Sequence, residues 1–144
     1  MQSLPMDRES LAVLAEYGLG EARLSGCHLR RYEAGEAMVR QDEAMDALLF
    51  VRSGRAKVCI NARNGRHLII CYYISDGVLG DVELLTEAQA MDTVTALSQV
   101  DCVAVPMERN REVLLGCLPF VLRMGQEVSG KLKYSSHAHT VSAL

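Results

Sequence analysis

From residue 68 to residue 107 the chain carries neither Lys nor Arg, although 15 of the two occur in the protein. A buried phosphate without a cationic partner is strongly disfavoured, so this absence weighs against an anion site in the middle of the chain. Positive charge is also short overall. The net charge is -3, which argues against this chain holding nucleic acid by itself, because phosphate neutralisation dominates such affinity. No apolar run approaches the roughly 20 residues needed to span a bilayer; the longest covers residues 68–74. Residues 1–5 have no basic segment followed by an apolar one, so they do not read as a signal peptide. None of the five cysteines, at 27, 59, 71, 102 and 117, forms a C-x-x-C pair. Buried thiols in a reducing cytoplasm are the expectation, and widely spaced ligands do not suit an iron–sulfur cluster. The histidines are scattered: His28 and His67 are isolated, and His137 and His139 fall in the tail. That pattern lacks the clustering a strand-borne metal site needs. No Ser–His–acid or Cys–His set has a local signature, so no catalytic residue, metal or cofactor is expected.

What remains is an ordinary globular composition. With 49% hydrophobic and 23% charged residues over 144 positions, one domain with a real core is expected. Residues 7–17 read as a helix with Leu11, Leu14 and Ala15 on its apolar face and Gly18 as its stop. From residue 27 to Pro106 the chain alternates short strands with turn signals. Strands are expected at 29–33, 37–40, 47–52, 55–60, 67–74, 94–97 and 100–105, with Asn64-Gly65 as the clearest hairpin turn. Many short strands at this spacing indicate a sandwich, jelly roll or barrel. Residues 108–115 have a helical pattern ending at Gly116, and Pro119 suits the first turn of a last helix. No repeat or low-complexity segment interrupts the order.

Two segments hold functional promise. Gly77 to Leu85 runs from a turn through two glycines into a short apolar helix, and a strand follows at residues 92–96. The helix start at Gly80-Asp81 offers backbone N–H groups and a positive dipole end that suit an anion. Equally, Gly80 is a turn glycine and Asp81 an acid satisfying its own helix. Asp76, Asp81, Glu83, Glu87 and Asp92 add negative charge around it. In the last helix, Val121, Gly125, Val128, Leu132 and Ser135 recur at alternating four- and three-residue steps, a heptad-like seam suited to helix pairing. Packing of that face on the domain's own β core is the competing expectation, with Phe120 and Met124 supplying a second face.

These segments together resemble the N-terminal sensor domain of the cyclic-AMP receptor protein/FNR family. The resemblance rests on Tyr32-Glu33-Ala34-Gly35-Glu36, the hairpin from Ala47 to Val58, the turn at Asn64-Gly65-Arg66, the Gly77 to Leu85 cassette, the strand Asp101 to Pro106, and the helix from Pro119. It implies a mainly β fold with flanking α-helices: a cyclic-nucleotide-binding-like double-stranded β-helix (β-roll, jelly-roll type) followed by a long C-terminal dimerisation helix. Residues 1–118 would form the sensor and 119–144 the dimer helix and tail. The family's phosphate-binding arginine would fall near Ala90-Met91, and Asp81 stands where a glutamate holds the ribose hydroxyl. Ser135-Ser136 lie near a polar pair that touches the base across the dimer. The implied ligand residues are therefore Gly80, Asp81, Val82, Ala90, Met91, Asp92, Ser135 and Ser136, and the implied dimer contacts Val121, Gly125, Val128 and Leu132. Because the arginine is missing, a standard cyclic nucleotide is not the expected effector, unless Arg40, Arg52, Arg66 or Lys133 folds inwards. The expectation is a cytoplasmic, homodimeric, non-enzymatic sensor of an unknown small molecule, with DNA contacted through a C-terminal domain outside this chain and no membrane partner. The alternatives are a genuine cyclic-nucleotide module with a non-DNA output, or a small metal-dependent β-barrel enzyme.

Overall fold

The computed structural model describes residues 1–63 and 67–143, giving the backbone alone for 62, 63, 67 and 131–143. In chain order the elements are β1 (Gln2–Leu4), α1 (Arg8–Glu16), β2 (His28–Tyr32), β3 (Ala37–Val39), β4 (Ala47–Ser53), β5 (Ala56–Arg63), β6 (His67–Ile74), β7 (Gly77–Leu79), α2 (Asp81–Thr86), β8 (Thr93–Ala96), β9 (Val100–Pro106), α3 (Met107–Leu115) and α4 (Leu118–Ala143). The strands form two antiparallel sheets. One is ordered β1-β2-β9-β4-β7 and the other β3-β8-β5-β6.

The different hydrophobic patterns of β4 and β5 follow from where they lie. In β4, Leu48 and Phe50 point into a core shared with the helices, while Leu49 and Val51 point between the sheets. Both faces of that sheet are covered, so β4 is an unbroken apolar run from Ala47 to Val51. In β5, Ala56 and Val58 face the inner core and Lys57 and Cys59 face outward, which is the alternation of a half-covered strand. β9 crosses between both neighbours, pairing with β2 and β4. Its Val100, Cys102 and Ala104 join the inter-sheet core, and Val103 and Val105 join the helical one.

Asp101 is the exception on that strand. It is only 5% exposed and lies opposite Arg31 across the β2–β9 ladder. Arg31 donates to it twice, at 2.9 and 3.1 Å, and Arg52 approaches at 3.6 Å. Arg52 also donates to Asp7, which caps α1 by accepting from the Ser10 backbone N–H. This network ties the start of α1 to the sheet, and the helix face it turns inward departs from the expected one. Ser10, Leu14 and Tyr17 are buried, whereas Leu11 is 59% exposed. Ser10 can be buried because its hydroxyl is hydrogen-bonded to Asp7.

The base of α4 is fixed by Phe120 and Met124, both fully buried in the helical core. Gly18 allows this approach. It has φ +83°, and a Cβ there would stand 2.8 Å from the Pro119 carbonyl carbon. Arg123 lies over the Tyr17 ring at 4.9 Å, and that ring packs edge-on against Phe50.

One expectation needs correction. Cys59 and Cys71 are joined in a disulfide between directly paired positions of β5 and β6, so the five cysteines are not all thiols. Their separation of 12 residues gave no hint of this, because only the hairpin register sets them opposite each other. Of the other three, Cys102 is buried and Cys27 and Cys117 are half-buried. Two of the seam residues read from the spacing also make contacts within the domain. Val121 packs against the helical core, and Val128 faces the β-roll. An exposed stripe of α4 runs through Leu118, Leu122, Gly125 and Ser129. The Leu132 side chain and the Asn64-Gly65 turn lie outside the described residues, and β1 was not anticipated.

Candidate functional site

The segment from Gly77 to Asp92 is shaped by its glycine. Gly80 is the N-cap of α2 with φ +102°, and a Cβ there would press on Met107, Met45 and Leu48 at 3.1–3.3 Å. The turn therefore sits directly on the helical core at the start of α2. α2 is only six residues long. Its first turn holds its own acids: Asp81 is fully buried and Glu83 is 6% exposed. Leu84, also fully buried, nails the helix to the core, and Arg111 of α3 donates to the Leu84 carbonyl at 2.7 Å. A cation at this end matches the negative pole of the short helix.

The return segment is fixed by backbone pairing. The Ala90 N–H donates to the Glu43 carbonyl, and the Asp42 N–H donates to the Ala90 carbonyl, at 2.9 and 2.8 Å. The Met91 N–H donates to Glu83 Oε1 at 3.2 Å. Where the resemblance implies a phosphate-binding arginine, this chain thus places a buried alanine held on both sides by the β3–β4 loop and a methionine tied to an acid.

Between α2, the β5–β6 wall and α4 lies a cavity of about 310 Å³. Val39, Ile60, Tyr72, Leu79 and Val82 line it, together with Asp81, Glu83 and Asp92 and with Val128 of α4. An adjoining cavity of about 470 Å³ shares Tyr72, Leu79 and Asp92, and adds Asp76, Gln126 and Glu127. Among the described residues lining either cavity there is no Lys or Arg.

Five of the residues singled out from the sequence therefore converge on one cavity: Gly80, Asp81, Val82, Met91 and Asp92. Ala90 is 2% exposed and sits in the core behind them. The side chains of Ser135 and Ser136 lie outside the described residues. So do those of Arg66 and Lys133, two of the cations considered as replacements for the arginine. The other two turn elsewhere: Arg52 is held by Asp7 and Asp101, and Arg40 is exposed and lines neither cavity. Sequence reading missed Tyr72, Glu83 and Val128 as cavity residues. Alternation along β6 was the available signal for Tyr72, and the competing expectation that the seam face of the last helix packs on the β core was the signal for Val128. No cluster of three or more metal-binding side chains occurs among the described residues. No helix among the described residues is long and apolar enough to cross a membrane.

The family model described as "Cyclic nucleotide-binding domain" matches residues 29–116, more than half of the chain and all of the cavity except α4. The neuropathy target esterase sws of Drosophila grimshawi is 35% identical over 74 residues, covering 51% of this chain and 5% of that protein. The regulatory protein YeiL of Escherichia coli O157:H7 is 25% identical over 103 residues, covering 72% of this chain and 47% of YeiL. The chain thus spans less than half the length of either relative. Among solved structures, the catabolite activator protein of Thermus thermophilus superposes with a TM-score of 0.66 at 14% identity, covering 96% of this chain and 61% of that one. That likeness is one of fold.

Proposed function

Since the chain belongs to the cyclic nucleotide-binding domain family, we propose that it is a small-molecule sensor whose ligand cavity is read out by α4, and that standard cyclic nucleotides are poor occupants. The observation that carries the reading is Val128. It belongs to α4 yet lines the same cavity as Asp81 and Glu83 of α2. An occupant therefore touches the helix directly, and any difference in its contacts between two helix positions shifts their populations. The similarity to YeiL, whose name describes a regulatory protein, supports a regulatory rather than a catalytic role. The matched esterase shares only 5% of its length with this chain, which gives no support to hydrolysis here.

Electrostatics supports the exclusion of a cyclic phosphate. At an effective dielectric of about 20, two like unit charges about 5 Å apart repel by about 3 kcal/mol. A helix terminus returns about 0.3–2 kcal/mol at best, and α2 has two acids of its own in its first turn. In this proposal α4 also pairs with a second copy through its exposed stripe, the protein acts within the cytoplasm, and DNA is contacted by a domain other than this one.

Hydrogen exchange tests the coupling. The chain is titrated with cyclic AMP, cyclic GMP and a set of neutral and cationic small molecules. An occupant that protects residues 81–92 is expected to change exchange in residues 118–130 as well. Protection confined to 81–92 would separate the cavity from the helix and end the proposal. Titration calorimetry with the two nucleotides is expected to show dissociation constants weaker than millimolar; micromolar binding would reveal a cationic anchor and reverse the exclusion.

A further inference from the structure

We propose that Cys59 and Cys71, joined in this structure, form a reversible dithiol–disulfide pair that exchanges with a glutathione-class thiol, and that its state decides how firmly the far half of the β5–β6 hairpin is held. The placement of the pair carries this. The two cysteines are direct partners across the β5–β6 ladder, on the face opposite the one that Ala56 and Val58 turn into the inter-sheet core. Cys71 is exposed and Cys59 half-buried, whereas Cys102 is buried and Cys27 and Cys117 are half-buried. An exposed disulfide is within reach of a small thiol, and bridges of that kind are the labile ones.

Cys59 also marks the end of a three-stranded region. β5 pairs with β8 from Ala56 to Cys59, and the last rung sets Cys59 against Thr93. Beyond it, among the described residues, β5 has β6 alone as a strand neighbour, and β6 is the edge of its sheet. A two-stranded ribbon is marginal in water without further packing. Gln41 supplies a tie in place of the third strand: its side-chain amide donates to the Asn61 carbonyl at 3.1 Å and accepts from the Asn61 N–H at 3.0 Å. The bridge therefore sits at the root of the ribbon, where a cross-link restricts the parting of the two strands. Ile60 and Tyr72, flanking the bridge on the opposite face, line the cavity of about 310 Å³, so the state of the ribbon reaches that wall. Neither change needs a ligand there.

The chemistry balances in two exchanges. The Cys71 thiolate attacks one sulfur of glutathione disulfide and expels a glutathione thiolate. The Cys59 thiolate, held opposite by the ladder, then attacks the Cys71 sulfur and expels the second glutathione thiolate. Two cysteine thiols are oxidised, one glutathione disulfide is reduced to two thiols, and the two cysteine protons pass to them. In the cytoplasmic setting proposed above, excess reduced glutathione opens the pair and oxidation closes it.

The full chain is equilibrated without oxygen in buffers spanning reduced-to-oxidised glutathione ratios, quenched in acid, and its free thiols are alkylated for peptide mass spectrometry. Cys59 and Cys71 are expected to change state together and reversibly. The open form should exceed the bridged one at least tenfold in excess reduced glutathione, and the reverse should hold in excess glutathione disulfide. A bridge that resists excess reduced glutathione is a static staple and overturns the proposal. So does a glutathione adduct that persists on Cys71 without closing the bridge. Hydrogen exchange followed by NMR reads the hold on the ribbon. On reduction, the amides of Ile60 and Ile70, partners just beyond the bridge, are expected to speed up at least tenfold more than those of Phe50 and Val103, partners in the covered sheet. Equal acceleration at both places would mean that the bridge acts on global stability alone, and no acceleration that it holds nothing; either overturns the control of the ribbon. A Cys59→Ser/Cys71→Ser double variant is expected to show the faster ribbon exchange at every glutathione ratio, which removes the other three cysteines as the cause. Reduced wild type gives the same reading if that variant fails to fold.

Discussion

Cys102 shows how far one residue's chemistry is set by its place in the fold. It is fully buried in the inter-sheet core, and burial, followed by the neighbouring Asp101, pushes its thiol up to about 12 from an ordinary 9.0. The direction of the resulting linkage is fixed. Above pH 9.0 the unfolded chain releases this proton while the folded chain keeps it, so folding stability falls as pH rises between those values. The slope is about 1.4 kcal/mol per pH unit for one such group. Urea unfolding at pH 7 and pH 10 is expected to show the stability gap between wild type and Cys102→Ala narrowing at the higher pH, since the variant lacks this loss. A gap independent of pH would mean that the thiol is not held neutral by burial. The acids of the candidate site were legible as residues but not as a set. Asp81 and Asp92 were visible for their charge, whereas Glu83 becomes a cavity residue because α2 turns it inward.

At the scale of elements, α4 divides its faces between two tasks. Phe120 and Met124 are buried in the helical core, so Phe120→Ala is expected to cost about 3–5 kcal/mol of stability in chemical denaturation. Gly18→Ala should act on the same contact from the other side, since its Cβ would strike the first turn of α4. Leu118 and Leu122, exposed at 66% and 61%, stand apart from that core. We propose that they pair with a second copy. Light scattering on a Leu118→Glu/Leu122→Glu double variant is expected to show monomers with an unchanged circular dichroism spectrum. A variant that stays dimeric would move the interface elsewhere. A variant that unfolds would place these leucines in the domain's own packing. Heptad spacing marks more than one helix face as apolar, and only the contacts of the folded domain show that Val121 and Val128 also have neighbours within it.

For the whole molecule, the net charge of -3 and the two-sheet architecture bound what the chain does unaided. It is expected to give no specific gel shift with duplex DNA at physiological salt, because it lacks the positive balance on which phosphate contacts depend. Specific retention by this chain alone would contradict the assignment of DNA contact to another domain.

The sequence alone determined the strand-and-turn grammar from residue 27 to Pro106, the two-helix ending and the shortage of bases around Asp81 and Asp92, because periodicity, turn chemistry and charge are properties of neighbouring residues. It did not determine partners that meet across the fold. The Cys59–Cys71 disulfide depends on hairpin register, the Arg31–Asp101–Arg52 network on strand order, and the inward turn of Val128 on how α4 docks through Gly18 and Phe120. Each joins residues whose approach is fixed only when both sheets and the helical layer close on their cores, and that closure is what turned a run of acids and apolar side chains into a cavity.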